Sequence, residues 1–137
     1  MQNPPPVQTG KSSTGLEENL AALLSYVFGW ISGLIFFLIE KDSRLVRFHA
    51  MQSILLNAIV VVVAVVLIVV ISILTFILGQ ISGVLAGIAW LLGVLFELLF
   101  CLAILITWIM CLVKAYQGTM YKLPIIGEYA EKFSAPK

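Results

Sequence analysis

Charge is what this sequence has least of. Asp, Glu, Lys and Arg make up 11% of its 137 residues, against roughly 25% in a soluble globular domain. Between Ala50 and Val113 a single charged side chain, Glu97, interrupts 64 residues. A chain so poor in water-binding groups cannot coat a soluble fold, and hydrophobic residues fill 61% of it. A net charge of +1 leaves no basic footprint, so nucleic acid is not an expected partner. Cysteine is nearly absent too. Cys101 and Cys111 lie ten apart in an apolar run, with no CxxC pair and no Cys/His cluster, so neither a metal site nor a cofactor site is expected. On one straight helix they cannot come within the roughly 7 Å that a disulfide requires. There is one histidine, and no Walker motif, GxSxG, HExxH or pair of intramembrane aspartates. No catalytic residue is assigned, and the chain reads as no enzyme.

What is there is long apolar runs. Residues 1–18, rich in Pro, Gly, Ser and Thr, read as a disordered tail carrying a tri-proline run at 4–6, and no signal peptide is evident. Asn19 to Ile39 is 21 residues without charge, and about 20 suffice to cross the hydrocarbon. The following 64 residues suit two helices, broken at Gly79-Gln80-Ile81-Ser82-Gly83. The expected fold is therefore all-α, a three-helix transmembrane bundle spanning 19–39, 51–78 and 85–113, with a short interfacial C-terminal segment. The valine-rich run at 59–66 would favour a strand in water, but in lipid the backbone must satisfy itself, which favours a helix.

Three spans place the N-tail with the 79–84 turn, and the 40–49 loop with the C-tail. Lys11 stands alone on the first side; Lys41, Arg44, Arg47, Lys114, Lys122, Lys132 and Lys137 share the second. The positive-inside rule then predicts an inner-membrane protein with its N-terminus outside and its C-terminus cytoplasmic. Small residues recur at Ala21, Ser25, Gly29 and Gly33, a spacing that lets helices approach closely. This stripe serves either packing within the bundle or a homo-oligomer through Ser25, Gly29 and Gly33.

Several polar residues stand out. Glu97 is the only carboxylate within the spans; it is expected about 24 Å from the cytoplasmic end, within reach of Tyr26 and Ser25. It reads either as a proton or substrate site or as polar glue between helices. Asn57 reads as a helix-gluing amide. Arg44 and Arg47 share a helix face and suit anionic lipid headgroups, so membrane lipids are expected partners. His49 reads as an interfacial side chain hydrogen-bonded to the C-tail. In that tail Gly118 suits a helix C-cap, Lys114 the negative end of the helix dipole, and Leu123-Pro124-Ile125-Ile126 a segment folded back on the loop or laid against headgroups.

Two segments together resemble a known family. The run Leu45-Val46-Arg47-Phe48-His49-Ala50-Met51-Gln52-Ser53-Ile54-Leu55-Leu56 resembles a signature of the Tic-twenty-like family, and Lys114 to Gly118 followed by Leu123 to Ala130 resembles its closing pattern. The resemblance covers residues 19–132 and is nearest to short prokaryotic membrane proteins of unknown function. His49 stands where the plant signature has Asn, and the extra preceding span of the plant proteins is missing. The resemblance implies that the two segments face one compartment. It marks Arg47, His49, Gln52, Lys114, Gly118 and Pro124, beside Glu97, as the candidate functional residues.

The sequence thus reads as a non-enzymatic membrane protein, a small scaffold or subunit of a membrane assembly with an unidentified membrane protein partner. The resemblance implies an association with protein translocation. The alternative is a homo-oligomeric channel or carrier using Glu97. His49 or Gln52 is expected to touch the 118–127 segment.

Overall fold

The computed structural model describes residues 10–135. The tri-proline run and Lys137 lie outside the described residues. Five helices are present among them: α1 Glu18–Val27, α2 Trp30–Ile39, α3 Arg44–Gly79, α4 Gly83–Tyr116 and α5 Ile126–Phe133. They belong to two units, one built from the chain up to residue 58 together with 108 onward, the other from 59–107. Helices α3 and α4 each run through both and are long and apolar enough to cross a membrane.

The expected first span is not one helix. Gly29 adopts φ 63° and ψ −134°, a conformation open to glycine and strained for other residues, and it separates α1 from α2. Each helix has ten residues, hence about 15 Å of rise, half of what a crossing needs. Ser32 Oγ stabilises the break by accepting from Phe28 N–H (3.1 Å) and donating to Ser25 O (3.1 Å). The chain then folds back, so that the start of α1 and the end of α2 meet. Glu40, with no exposed surface, accepts at its carboxylate from Ser13 N–H (3.0 Å to each oxygen) and Ser13 Oγ (2.7 Å). Residues 10–17 are therefore ordered where a disordered tail was expected. They form a turn closed by Ser12 N–H to Leu16 O (2.8 Å) and dock on the 40–42 loop. That contact puts the described N-terminal residues beside the loop, so the expectation of opposite sides does not hold.

The two other expected spans are present and longer than anticipated. Helix α3 begins at Arg44, not near Met51, because Ser43 caps it: Val46 N–H donates to Ser43 Oγ (3.3 Å) and Arg47 N–H to Ser43 O (3.1 Å). The charged loop thus shrinks to 40–43, and RFHAMQ becomes the first turns of a helix. The break before α4 falls at 80–82, inside the expected patch. Helix α4 ends in a Schellman turn: Gly118 has φ 73°, its N–H reaches Ala115 O and Thr119 N–H reaches Lys114 O (both 3.0 Å). The C-terminal segment then reverses through Pro124 and enters α5, a helix that the polar composition of 128–132 had concealed.

The first unit's core is made of small and aromatic side chains. Ala21, Ala22 and Tyr26 of α1, Val46, Phe48 and Ala50 of α3, Ala115 of α4 and Ala130 of α5 have no exposed surface. Gly33 is buried against α3. A Cβ there would lie 2.9 Å from Ala50 O and 3.1 Å from Ser53 Cβ. The Ser25–Gly29–Gly33 stripe is thus covered by the chain itself: Ser25 Oγ donates to Ala21 O (3.0 Å), and Ser53 Oγ donates to Gly29 O (3.0 Å).

Candidate functional site

Two places carry polar chemistry, one in each unit. The first is a clasp between the start of α3 and the chain beyond α4. His49 is fully buried. Its Nε2 lies 2.9 Å from Thr119 O, and its Nδ1 lies 2.8 Å from Tyr26 Oη. A carbonyl only accepts, so Nε2 carries the hydrogen and Nδ1 accepts from the Tyr26 hydroxyl. Gln52, one turn on, donates from Nε2 to Tyr26 Oη and to Tyr121 O (both 3.0 Å), and its Oε1 accepts from Leu123 N–H (3.2 Å). Trp108 Nε1 closes the cluster by donating to Tyr26 O (2.8 Å). The expected contact of His49 and Gln52 with the C-terminal segment is present, and both residues make it.

Arg47 holds the other ends. Its Nη1 donates to Phe37 O (3.2 Å) and Glu40 O (2.7 Å), terminal carbonyls of α2, while Nε donates to Ser134 O just past α5 (3.1 Å). Its guanidinium stacks 4.5 Å over the Phe37 ring. Arg44 pairs with Glu131 (3.0 Å), which Lys122 also contacts. Arg47 thus caps the chain's own helices, while Arg44 stays largely exposed in its ion pair. Lys114 lies over the Tyr121 ring (6.0 Å) and Gly118 makes the turn. Pro124 lies in the reversal, where Gly127 N–H meets Leu123 O (2.8 Å).

Glu40 organises the 40–43 loop. Besides Ser13, the Asp42 and Ser43 N–H groups donate to it (3.1 and 2.9 Å). Burial works to raise its carboxyl, but these donors, Ser43 first among them, hold it below the ordinary carboxylate range. A clue was legible: an acid followed at three residues by Ser43 at a helix start is a local capping arrangement. Glu131 is also lowered, chiefly by its hydrogen bond from Lys122.

The second place is a groove in the 59–107 unit. About 560 Å³ opens between the two helices there, lined mostly by apolar side chains, with Ser72, Thr75 and Glu97 on its walls. Glu97 Oε1 and Thr75 Oγ1 are both buried and without a hydrogen-bond partner among the described residues. Tyr26 and Ser25, expected to serve Glu97, are instead engaged with His49, Gln52 and Ala21 in the other unit. Asn57 Nδ2 donates to Ser53 O (2.8 Å), and its Oδ1 lies 3.1 Å from where a Gly29 Cβ would stand.

The profile of the family described as the magnetosome magnetite crystal formation protein family matches residues 15–130. The chain belongs to that family. It is also 40% identical over 127 residues to a UPF0132 membrane protein of Methanocaldococcus jannaschii, covering 91% of this chain and 96% of the relative. A second from the same organism is 36% identical, covering 87% and 71%. One from Archaeoglobus fulgidus is 37% identical, covering 85% and 95%. No solved structure matches the chain. These relatives are membrane proteins by name, and the protein is a membrane protein.

The comparisons overturn the Tic-twenty-like resemblance. The stretch that carried it matches a different family across nearly its whole length. The physical reason lies in the motif itself. Positions 47, 49 and 52 are dictated by backbone carbonyls and by a reversed C-terminal segment, needs that unrelated helix pairs can share. The translocation role rested on that resemblance and falls with it.

Proposed function

We propose that the protein is a non-enzymatic membrane scaffold, a small subunit on which a membrane assembly is built. The observation that carries this reading is the clasp. Both ring nitrogens of His49 and both amide hydrogens of Gln52 end on groups of this chain. Side chains occupied in this way orient segments rather than meet a substrate, and they hold α1, α3 and the C-terminal segment as one rigid platform. The family's description names magnetite crystal formation; a membrane scaffold is compatible with that description and does not depend on it.

The same geometry supports an orientation. With α1–α2 folded back and two helices crossing, both tails and the 40–43 loop share one side. The Lys and Arg side chains among the described residues, Lys11, Lys41, Arg44, Arg47, Lys114, Lys122 and Lys132, then lie on it, and none lies in the 80–82 turn. The positive-inside rule makes that side cytoplasmic. Cysteines placed singly at Lys11, Gln80 and Lys132 in a variant lacking both native cysteines test it. A membrane-impermeant maleimide on intact cells is expected to label Gln80→Cys alone. Labelling of Lys11→Cys with Gln80→Cys would restore three crossings.

A channel or carrier remains the second reading, favoured by the unpartnered oxygen of Glu97. Purified protein in liposomes separates the two. The scaffold reading expects no proton or ion flux above protein-free vesicles. A flux abolished by Glu97→Gln would replace it with transport.

A further inference from the structure

We propose that the cleft between the end of α2 and the end of α5 holds the phosphate headgroup of an anionic phospholipid. This goes beyond the scaffold reading and gives the platform a lipid ligand. The cleft encloses about 410 Å³, and Lys41 and Arg47 stand on its walls. Neither meets a carboxylate: the ion pairs among the described residues are those of Glu131 with Arg44 and Lys122. Arg47 donates from Nε and Nη1 to three carbonyls, and its Nη2 has no hydrogen-bond partner among the described residues. Those carbonyls satisfy hydrogens without neutralising the charge. Glu40, the acid on the same wall, has no exposed surface, and its carboxylate is taken up by Ser13, Asp42 and Ser43. Asp42 does not line the cleft, and it accepts from Ser13 Oγ (3.0 Å). An anion entering the cleft therefore meets two cations without a counterion. One of them is a guanidinium, whose planar N–H edge suits a phosphate.

The rest of the wall requires that the anion carry hydrocarbon. Phe37, Leu38 and Phe133 line the cleft beside the cations, and Leu38 and Phe133 are more than half exposed. Helix α5 buries its small residues, Gly127 and Ala130, against the chain. Tyr129 and Phe133, four residues apart with stacked rings (centroids 6.3 Å apart), stay exposed. A short helix with such an aromatic side lies at the boundary of headgroups and acyl chains. The cations sit at the same level. Lys41 precedes α3, Arg47 lies in its first turns, and no Asp, Glu, Lys or Arg follows in that helix. A free inorganic anion would use the cations and leave the apolar wall uncovered. A phospholipid uses both, with its phosphate between Lys41 and Arg47 and an acyl chain along Leu38 and Phe133. Basic pockets beside membrane helices bind lipid headgroups in this way.

Native mass spectrometry of the full-length protein in a neutral detergent tests the assignment. One phosphatidylglycerol per chain should be retained, about tenfold more tightly than phosphatidylcholine with the same acyl chains. Lys41→Gln should weaken phosphatidylglycerol about fivefold, the worth of one cation at the headgroup. Lys132→Gln, which removes an exposed lysine of α5 that does not line the cleft, should leave the affinity unchanged. Phe133→Ala should weaken both lipids alike. Melting temperatures in the same detergent check that each variant is folded; Lys41 makes no side-chain hydrogen bond or ion pair among the described residues, so its loss leaves the fold intact. Glycerol 1-phosphate at the lipid's concentration should not displace it. Equal retention of the two lipids, equal effects of Lys41→Gln and Lys132→Gln, or displacement by glycerol 1-phosphate would overturn the proposal. A micelle has no sides, so none of these outcomes depends on the orientation. The scaffold reading also stands apart from them, since it falls to a Glu97-dependent flux.

Discussion

The clasp and the groove treat polar groups in opposite ways. Around His49 and Gln52, buried donors and acceptors find partners within the chain, many of them backbone atoms of a distant segment. In the 59–107 hairpin, Glu97 and Thr75 keep buried oxygens with none among the described residues. A satisfied buried network stabilises one arrangement of its segments, whereas an unsatisfied one is stabilised only by something added. The clasp is therefore the part that holds this chain in shape, and the groove is the part that carries unpaired polar atoms.

The largest test of that contrast exchanges one polar residue in each place for leucine. Gln52→Leu strands Leu123 N–H and Tyr121 O and removes one donor from the Tyr26 hydroxyl, which keeps its bond to His49, and should cost about 2–3 kcal/mol of stability. Glu97→Leu removes a group with no hydrogen-bond partner among the described residues and should leave the detergent-solubilised protein as stable or slightly more so. Unfolding curves of the two variants side by side decide it; equal losses would erase the distinction.

Packing gives the next effect. Gly33→Leu drives a side chain into Ala50 O and Ser53, whereas at Gly87 nothing lies within 4 Å of an added Cβ. The first should cost about 2 kcal/mol and the second almost nothing, read from the same unfolding curves. Acid comes third. Because the carboxyl of Glu40 is held below its ordinary value of 4.5, its contribution to stability is complete above that pH and is lost as the pH falls through the lower folded value. A pH series of melting temperatures should show that loss below about pH 4.5, with a flatter profile in Glu40→Gln. Gly118→Ala should cost about 1 kcal/mol, because alanine is strained at positive φ. Smallest of all, Arg44→Ala breaks an exposed ion pair with Glu131 and should change stability by about 0.5 kcal/mol or less.

Much of this was legible in the chain. The two long helices follow from uncharged length, and the 80–82 turn follows from a cluster of glycine and polar residues. The Schellman end of α4 was marked by Gly118, and the meeting of RFHAMQ with the C-terminal segment by two polar motifs on one charged side. The failure at 19–39 has a definite cause. Composition there is continuous, and one glycine in a conformation that hydropathy does not register divides the stretch. Glu97 stands out in the sequence as an anomaly, but Tyr26 and Ser25 would reach it only from a straight first span, and Gly29 divides that stretch.

Apolar length and the placement of every Lys and Arg determined that this chain lives in a membrane, because hydrocarbon admits a backbone only when it satisfies its own hydrogen bonds. Only the tertiary structure decided which polar groups are completed inside the chain. That depends on which carbonyls the fold-back of α1–α2 and the reversal at Pro124 bring within 3 Å of His49, Gln52 and Arg47, and on the Ser13 donors brought to Glu40. Hydrogen bonds act at contact distance, and sequence spacing says nothing about a contact between residues 49 and 119 until the chain has turned back on itself.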